Sequence, residues 1–515
     1  MSATHIKPVL PRSGQSALLG CALVSTVLWL SVATVARAQQ GIEQELRATL
    51  SALPHPEVRV GAYVVDLDTG RPVFIQNADI PLIPASSMKV FVMAAALAEF
   101  GPGFSFETLF ATNGTDLVVI GDGDPAPGDE KVHHTRDEPI TSDFERWADT
   151  LLEKGISTIP GDLVIDESIF DDQWIHPSWE ENDLDNWYAA PVGGLNFNGN
   201  CIDITVSPTV KHDAPVLVSV QPETRLVKII NRCRSGGKGT PILHHPHDTF
   251  EYRITGRCDK RWPFGSVSFP DPGLLFADSL RTVLAKKGIR LDGGVRRERV
   301  RLPGGGLPAS LTIIGRRTTP LVDVLRRIGK DSQNLFAECL LKRTGCAWAK
   351  RHGNTDPQGS WALGREAVWG LIERAGIDAR GLIVADGSGL SRDNRCTARQ
   401  MAELLARMHA QPEGGLLHKS LSVAGVDGSL RKRLTDIPGR VRAKTGTMRG
   451  VRALTGYVGP TFQSASYVGP TFQSVKGGTG AGYAFAVLFN GYKGPSTPYK
   501  ECQDRFCRIL AASRR

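Results

Sequence analysis

Three short motifs stand in a fixed order along the chain: Ser86-Ser87-Met88-Lys89, Ser332-Gln333-Asn334 and Lys444-Thr445-Gly446. The first offers a hydroxyl with an amine one helical turn away. The second adds another hydroxyl and an amide, and the third a cationic strand. Together they are the equipment of an active-site serine acting on an amide that ends in a carboxylate. Each motif alone is weak. Ser-x-x-Lys occurs three times, also at Ser235–Lys238 and Ser429–Lys432, whereas Ser-x-Asn and Lys-Thr-Gly occur once each. Their order singles out Ser86.

Ser86 follows Pro84-Ala85 at the start of an expected helix, Ser86–Phe100, where backbone N–H groups lack partners and the helix dipole favours anions. Lys89 lies over the same face and reaches the Ser86 hydroxyl. Met88, Val90, Phe91, Val92, Met93 and Leu97 make the helix apolar nearly all round, the pattern of a buried central helix. An amine in such a place is desolvated, and a neutral Lys89 becomes a base for Ser86. The competing reading makes Ser86 a helix cap and Lys89 a surface residue, which the apolar helix disfavours.

Ser332 and Asn334 open a second expected helix, Leu335–Arg343, with a stop near Gly345. Either residue could simply cap it. As functional groups, Ser332 relays a proton to a leaving amine and Asn334 bonds a substrate amide. On the third motif Lys444 and Thr445 receive the carboxylate, and Gly446 admits a substrate backbone. The Thr447 N–H joins that of Ser86 as an oxyanion hole. The alternative is an ordinary strand end. No Gly-x-Ser-x-Gly elbow occurs, which argues against an α/β-hydrolase. His244, His245, His247 and Asp248 read as a polar loop, so no metal and no cofactor is called for. Asp122-Gly123-Asp124, Asp386-Gly387-Ser388-Gly389-Leu390 and Asp427-Gly428-Ser429-Leu430 read as turns.

The elements that must position these motifs come from both ends of the chain. Residues 60–76 read as a hairpin turning at Asp68-Thr69-Gly70. Val441–Thr447, Arg452–Gly459 and Tyr483–Tyr492 read as three successive strands, and Tyr499–Arg515 as a terminal helix. With the motif helices they make one α+β domain. The middle, from about Glu107 to Pro308, has its own strands and helices, with a smaller all-β insert over 206–268. The turn-rich run Pro303–Pro308 marks re-entry. Tyr457–Ser464 repeats without change at Tyr467–Ser474, a tandem duplication expected to lengthen a hairpin loop and spare the sheet.

Lys7 and Arg12, the uncharged stretch Ala17–Val35 and the small-x-small run Ala36-Arg37-Ala38 read as an export signal cleaved after residue 38. Removing it from 515 residues leaves 477, enough for two or three domains. It also takes three of the positive charges, so the net charge falls from +8 to +5. That mild excess suits an anionic envelope. It does not suit nucleic acid, because the only dense basic run is Arg431-Lys432-Arg433. Eight cysteines remain, and Cys233 with Cys258 is the favoured bridge. Cys502 and Cys507, five apart on a helix, face different ways and are not expected to pair.

Over nearly all of the mature sequence, the chain resembles the class C low-molecular-mass penicillin-binding proteins. These are the D-alanyl-D-alanine carboxypeptidase/endopeptidases of the type-4 kind. The resemblance rests on Pro84-Ala85-Ser86-Ser87-Met88-Lys89, Gly161-Asp162-Leu163-Val164-Ile165-Asp166 and Tyr188-Ala189-Ala190-Pro191-Val192. It rests also on Asp386–Arg392, Val423–Leu430 and Arg442-Ala443-Lys444-Thr445-Gly446-Thr447. The 246-residue interval from Ser86 to Ser332 is this family's mark. It implies a β-lactamase-like, penicillin-recognising catalytic domain interrupted by two nested domains. The divisions are then 39–106, 107–205, 206–268, 269–308 and 309–515, after a leader over 1–38.

The resemblance further implies that Ser86 is acylated by peptidoglycan stem peptides and by β-lactam antibiotics as inhibitors, in the periplasm. Peripheral association with the membrane or cell wall fits, and the oligomeric state is open. Lys89, Ser332, Asn334 and Lys444 carry over by motif position. A β-lactamase is the nearest rival. Class A β-lactamases pair a deacylating Glu with an Asn four residues on, and no such pair stands between Asn334 and Lys444. A non-catalytic wall-binding scaffold is the rival from another class, and the retention of Ser86 and Lys89 argues against it.

Overall fold

Ala484, Ala486 and Leu488 face one apolar cluster while Phe485, Val487 and Phe489 face another. That alternation is the period of a strand buried on both sides. The strand belongs to a six-stranded antiparallel sheet made of β1 (Arg59–Asp66), β2 (Pro72–Gln76), β3 (Ser422–Val423), β4 (Val441–Met448), β5 (Val451–Val458) and β6 (Tyr483–Asn490). Their spatial order is β3-β4-β5-β6-β1-β2. Both ends of the chain thus supply one sheet, as expected. This computed structural model describes residues 40–54, 57–132, 138–459 and 482–514, with Ser2. The export signal, and the duplicated segment beyond Gly459, lie outside the described residues.

The hairpin β1–β2 turns where the sequence places it. Asp66 Oδ1 accepts the N–H groups of Asp68 and Thr69 at 3.0 and 2.9 Å, and Gly70 supplies the positive φ that closes the turn. On one face of the sheet, helix 40–51 and helix Thr497–Ala512 bury Leu46, Leu50, Phe506 and Leu510. On the other face lies helix Lys89–Phe100, with ten of its twelve residues buried. It packs against helices Leu321–Asp331, Asn334–Arg351, Trp361–Arg374 and Ala398–His409 and ends at Gly101, φ +72°. The chain is therefore an α+β protein with its central helix under the sheet.

Helix Asn334–Arg351 runs six residues past Gly345, near which the stop was expected. Gly345 does not end the helix; it lets the next helix in. A Cβ built there would stand 2.3 Å from the Gly364 amide nitrogen on helix Trp361–Arg374. A helical glycine costs about 1 kcal/mol against alanine, and here close approach outweighs that. Gly345→Ala is expected to destabilise the protein by about 1–3 kcal/mol through overpacking. A urea midpoint equal to or above that of the parent would show the contact to be slack.

The middle of the chain forms a second, five-stranded sheet in the order Val295–Arg297, Leu163–Asp166, Leu117–Ile120, Ser105–Thr112, Thr312–Pro320. Helices Ser142–Glu153 and Pro272–Lys286 cover it through Phe144, Trp147, Phe276 and Leu280. Thr312–Pro320 pairs antiparallel with the whole of Ser105–Thr112. The sheet therefore reaches from Ser105 to Pro320 and not from 107 to 308. Pro303–Pro308 leads into the last strand of this sheet, where the sequence suggested the way out. Between Cys201 and Ser268 only strands occur, around Ile202, Ile204, Val206, Tyr252 and Ile254.

The expected Cys233–Cys258 bridge is not formed; all eight described cysteines are free and buried. Register explains it. Cys258 stands opposite Ser235 in a parallel pair, two residues along from Cys233, and its Sγ donates to the Lys260 carbonyl at 2.8 Å. The histidine loop holds His245 stacked on Tyr252, ring centroids 3.9 Å apart, with its nitrogens on the Glu251 and Ser268 carbonyls. Among the described residues no group of three or more His, Cys, Asp or Glu could hold a metal ion. None of the described helices is long and apolar enough to cross a membrane. The Asp122–Asp124 stretch is more than a turn: Asp122 pairs with Arg343 at 2.9 Å, and Asp124 with Arg317, all out of solvent or nearly so.

Candidate active site

The helix proper begins at Lys89, and Ser86 sits one step earlier on a 3-10 turn, Ala85–Met88. Ala85 enters that turn with φ +47°, a conformation a non-glycine residue adopts only under constraint. The constraint is visible. Ala85 presses its carbonyl against Gly389, where an added Cβ would stand 1.9 Å away. Ser86 caps nothing with its side chain and is half-buried. The Lys89 side chain points inward and is fully buried.

Three acceptors surround the Lys89 amine: Ser86 Oγ at 3.2 Å, Asn334 Oδ1 at 2.7 Å and the Ser388 carbonyl at 2.6 Å. Burial lowers its proton affinity to about 7, against the opposing pull of Glu338 and Asp386. Asn334 is the first residue of its helix and caps nothing either; its Nδ2 donates to the Tyr188 carbonyl at 2.7 Å. Because the Tyr188 carbonyl only accepts, it fixes which way the Asn334 amide faces. Oδ1 thus accepts from Lys89 and one Nδ2 proton goes to Tyr188, which leaves the second Nδ2 proton for the expected bond to a substrate amide.

Ser332 joins the two helices in the left-handed region, φ +60° and ψ +31°. There its Oγ accepts from Lys444 Nζ at 2.8 Å, and the same amine donates to the Thr445 carbonyl at 2.8 Å. Lys444 is fully buried on β4, and burial followed by repulsion from Lys89 holds its proton affinity well below that of a free lysine. Thr445 Oγ1 donates to Ser429 Oγ at 2.9 Å, so one of the two discarded Ser-x-x-Lys serines does border the site. Ser235 lies elsewhere, on the short strand Arg234–Ser235. All three motifs therefore converge.

Gly446 serves an end that its sequence did not suggest. A Cβ there would stand 2.4 Å from the Pro84 carbonyl and 3.1 Å from the Ser87 amide nitrogen. The glycine admits the Ser86 turn. Gly446→Ala is expected to push the turn off the strand and destabilise the protein by about 1–3 kcal/mol through overpacking. An unchanged urea midpoint would show that the turn and strand need not touch.

Glu338 was not singled out by the sequence. It lies one helical turn after Asn334, fully buried, and accepts the N–H groups of Gly387 and Ser388 at 2.7 Å each and the Trp361 indole N–H at 2.8 Å. Burial, followed by the nearby Asp386 charge, pushes its carboxyl up to about 7. The Asp386–Leu390 stretch reads as a turn, and it is one. Asp386 holds it by accepting the N–H groups of Gly389 and Ser391 and both the Trp179 indole and the Asn394 amide. The available signal was its place among the stretches that carry the family resemblance.

The D-Ala-D-Ala carboxypeptidase 3 (S13) family matches residues 42–512. Among curated relatives, a D-alanyl-D-alanine carboxypeptidase of an Actinomadura species is 28% identical over 486 residues, covering 88% of this chain and 82% of that one. D-alanyl-D-alanine carboxypeptidase DacB of Haemophilus influenzae is 27% identical over 405 residues, covering 76% and 80%. Among solved structures, penicillin binding protein 4 from Haemophilus influenzae matches with a TM-score of 0.71 at 23% identity, covering 90% of this chain and 99% of that one. The last likeness is one of fold.

Proposed function

The chain belongs to the D-Ala-D-Ala carboxypeptidase 3 (S13) family, and from that premise we propose that Ser86 is its nucleophile and Lys89 the base. Membership makes the protein a serine-type D-alanyl-D-alanine carboxypeptidase acting on peptidoglycan stem peptides. One observation carries the residue assignment. Two of the three acceptors around Lys89 are carbonyl oxygens, which cannot donate. When Lys89 is neutral its two protons go to them, and its lone pair is left facing the Ser86 hydroxyl. The amine is aimed before any substrate arrives.

The reaction then runs in two steps. Ser86 Oγ attacks the carbonyl carbon of the penultimate D-alanine while Lys89 takes the hydroxyl proton. The new oxyanion is met by the N–H groups of Ser86 and Thr447, a role supported by the contact of Gly446 with the Ser86 turn. The C–N bond breaks, and the leaving amine takes a proton delivered through Ser332. Water, deprotonated by Lys89, attacks the ester and frees Ser86.

Lys444 has a further part. With no carboxylate partner among the described residues it is pressed toward neutrality by burial, and an arriving terminal carboxylate favours its charged form. A positive Lys444 in turn repels a proton from Lys89. Carboxylate recognition thereby readies the base, which explains why a carboxylate-ended amide is the substrate.

Opening of β-lactams by Ser86 follows from the same geometry, as does cleavage of cross-links between stems. The Haemophilus penicillin binding protein 4 has itself been solved with a β-lactam bound. A periplasmic location and nested domains inserted between the two halves of the catalytic sheet fit the same reading.

The test is to label the protein with penicillin, digest it and locate the acyl group by mass spectrometry, scoring D-alanine release from a stem pentapeptide beside nitrocefin turnover. The acyl group is expected on the peptide carrying Ser86, with D-alanine released and nitrocefin turned over slowly. Label on Ser332 or Ser429, or rapid nitrocefin turnover without D-alanine release, would overturn the assignment.

A further inference from the structure

A cavity of about 560 Å³ lies at the far ends of the two helices whose beginnings carry the catalytic groups. Glu99 and Phe100 close helix Lys89–Phe100 there, and Arg343, Lys350 and Arg351 line it from the second half of helix Asn334–Arg351. Twelve residues of helix put this place about 18 Å from the Ser86 turn. Part of its remaining wall comes from the segment that leads back to the five-stranded sheet, with Arg299 and Arg301.

The charges do not balance. Five cations line the cavity, Arg299, Arg301, Arg343, Lys350 and Arg351, against three carboxylates, Glu99, Asp122 and Asp356. Each carboxylate already has its own arginine. Arg299 pairs with Asp356, Arg343 with Asp122 at 2.9 Å, and Arg351 with Glu99 at 3.2 Å. Among the described residues, Arg301 and Lys350 are left with hydrogen bonds to backbone oxygens only, the Gly121 carbonyl at 3.0 Å and the Gly304 carbonyl at 2.8 Å. Asp122 lies within electrostatic reach of Arg301, but its oxygens are given to Arg343 and the Glu107 N–H.

Lys350 and Arg351 sit in the last turn of a helix, where cations complement the dipole, and that alone accounts for their presence. It does not account for Arg301. Among the described residues its Nε is buried with no hydrogen-bond partner, a costly arrangement for a charged group. Phe100, Phe104 and Ile169 give the cavity an apolar side, and the volume is that of a small-molecule site.

We propose that this cavity is a second ligand site, separate from the catalytic cleft, which takes a small molecule bearing oxyanions with Arg301 and Lys350 as its anchors. The chemistry fits a dicarboxylate, such as the acidic part of a peptide fragment, or a phosphate. Arg301 supplies a guanidinium whose side-chain hydrogen bond, among the described residues, goes only to a backbone carbonyl, Lys350 the mobile charge, and Phe100 and Phe104 the surface for a carbon skeleton.

Calorimetry on the full chain, titrated separately with glutarate and with inorganic phosphate, tests this. Saturable binding of either is expected, with Arg301→Gln and Lys350→Gln each weakening it by about tenfold, the worth of one charge-assisted hydrogen bond. Glutarate alone binding identifies a carboxylate source, and phosphate alone a phosphate source. Lys350 is exposed, so its substitution keeps the test open should Arg301→Gln fail to fold. Protein first acylated with penicillin should bind the probe unchanged. The proposal falls if neither probe saturates, if both variants bind like the parent, or if acylation abolishes binding and so assigns the probe to the catalytic cleft.

Discussion

Replacing Lys89 by methionine is expected to slow acylation by penicillin about a hundred- to ten-thousand-fold, the usual worth of a positioned general base, while leaving the protein folded. Two opposing terms decide the stability. A shift from 10.5 to about 7 means that burying this amine costs on the order of 4 kcal/mol at neutral pH. Methionine relieves that cost at nearly the same volume. It also strips Asn334 Oδ1 and the Ser388 carbonyl of their donor, at about 1–3 kcal/mol each. The two terms nearly cancel near neutrality.

Their pH dependence does not cancel. Between about 7 and 10.5 the unfolded lysine holds a proton that the folded one has lost, so the parent gains stability as pH rises through that window. Methionine has no such slope. The variant should compare best with the parent below about pH 7 and worst near 10.5, as read by denaturant midpoints across that range. Rapid acylation of the variant, or parallel stability curves, would remove Lys89 from the role of buried base.

The groups found from the sequence share one property: their chemistry needs short local spacings. Ser86 and Lys89 are three apart, Ser332 and Asn334 two apart, and each pair is legible because the residues must share a turn. The sheet was legible for a similar reason, since β1, β5 and β6 are apolar on both faces and bounded by turn residues. Strand Thr312–Pro320 was not. Two of its inward positions are Arg317 and Thr319, buried against Asp124 and Asp143, and a reading that follows apolar periodicity passes over them. Gly345 and Gly446 mark close approaches, but a glycine does not reveal which backbone approaches it. Gly345 was read as a helix stop, and neither the Gly364 approach nor that of the Ser86 turn was legible.

The contribution of Glu338 was illegible because it acts through residues some fifty positions away, and its removal should show how much the site owes to it. In Glu338→Ala the N–H groups of Gly387 and Ser388 and the Trp361 indole lose their acceptor together. At about 1–3 kcal/mol for each buried donor, and allowing for partial relaxation, the loss is roughly 3–5 kcal/mol. The Ser388 carbonyl is then free to leave Lys89, so acylation falls as well. Glu338→Gln separates charge from shape. Its oxygen still serves Gly387 and Trp361, and only the Ser388 bond is lost, at about 1–3 kcal/mol.

What glutamine removes is the largest influence favouring a charged Lys89. Loss of that negative charge lowers the lysine's proton affinity further, so more of it is a free base at any given pH. The acid limb of the acylation profile, which in the parent belongs to the coupled pair, should therefore move to lower pH in Glu338→Gln. A limb that stays in place would mean that Glu338 only props the Asp386–Leu390 turn. A limb that moves upward would mean that Glu338 does not favour the charged form of Lys89 at all, which would overturn the electrostatic role assigned to it.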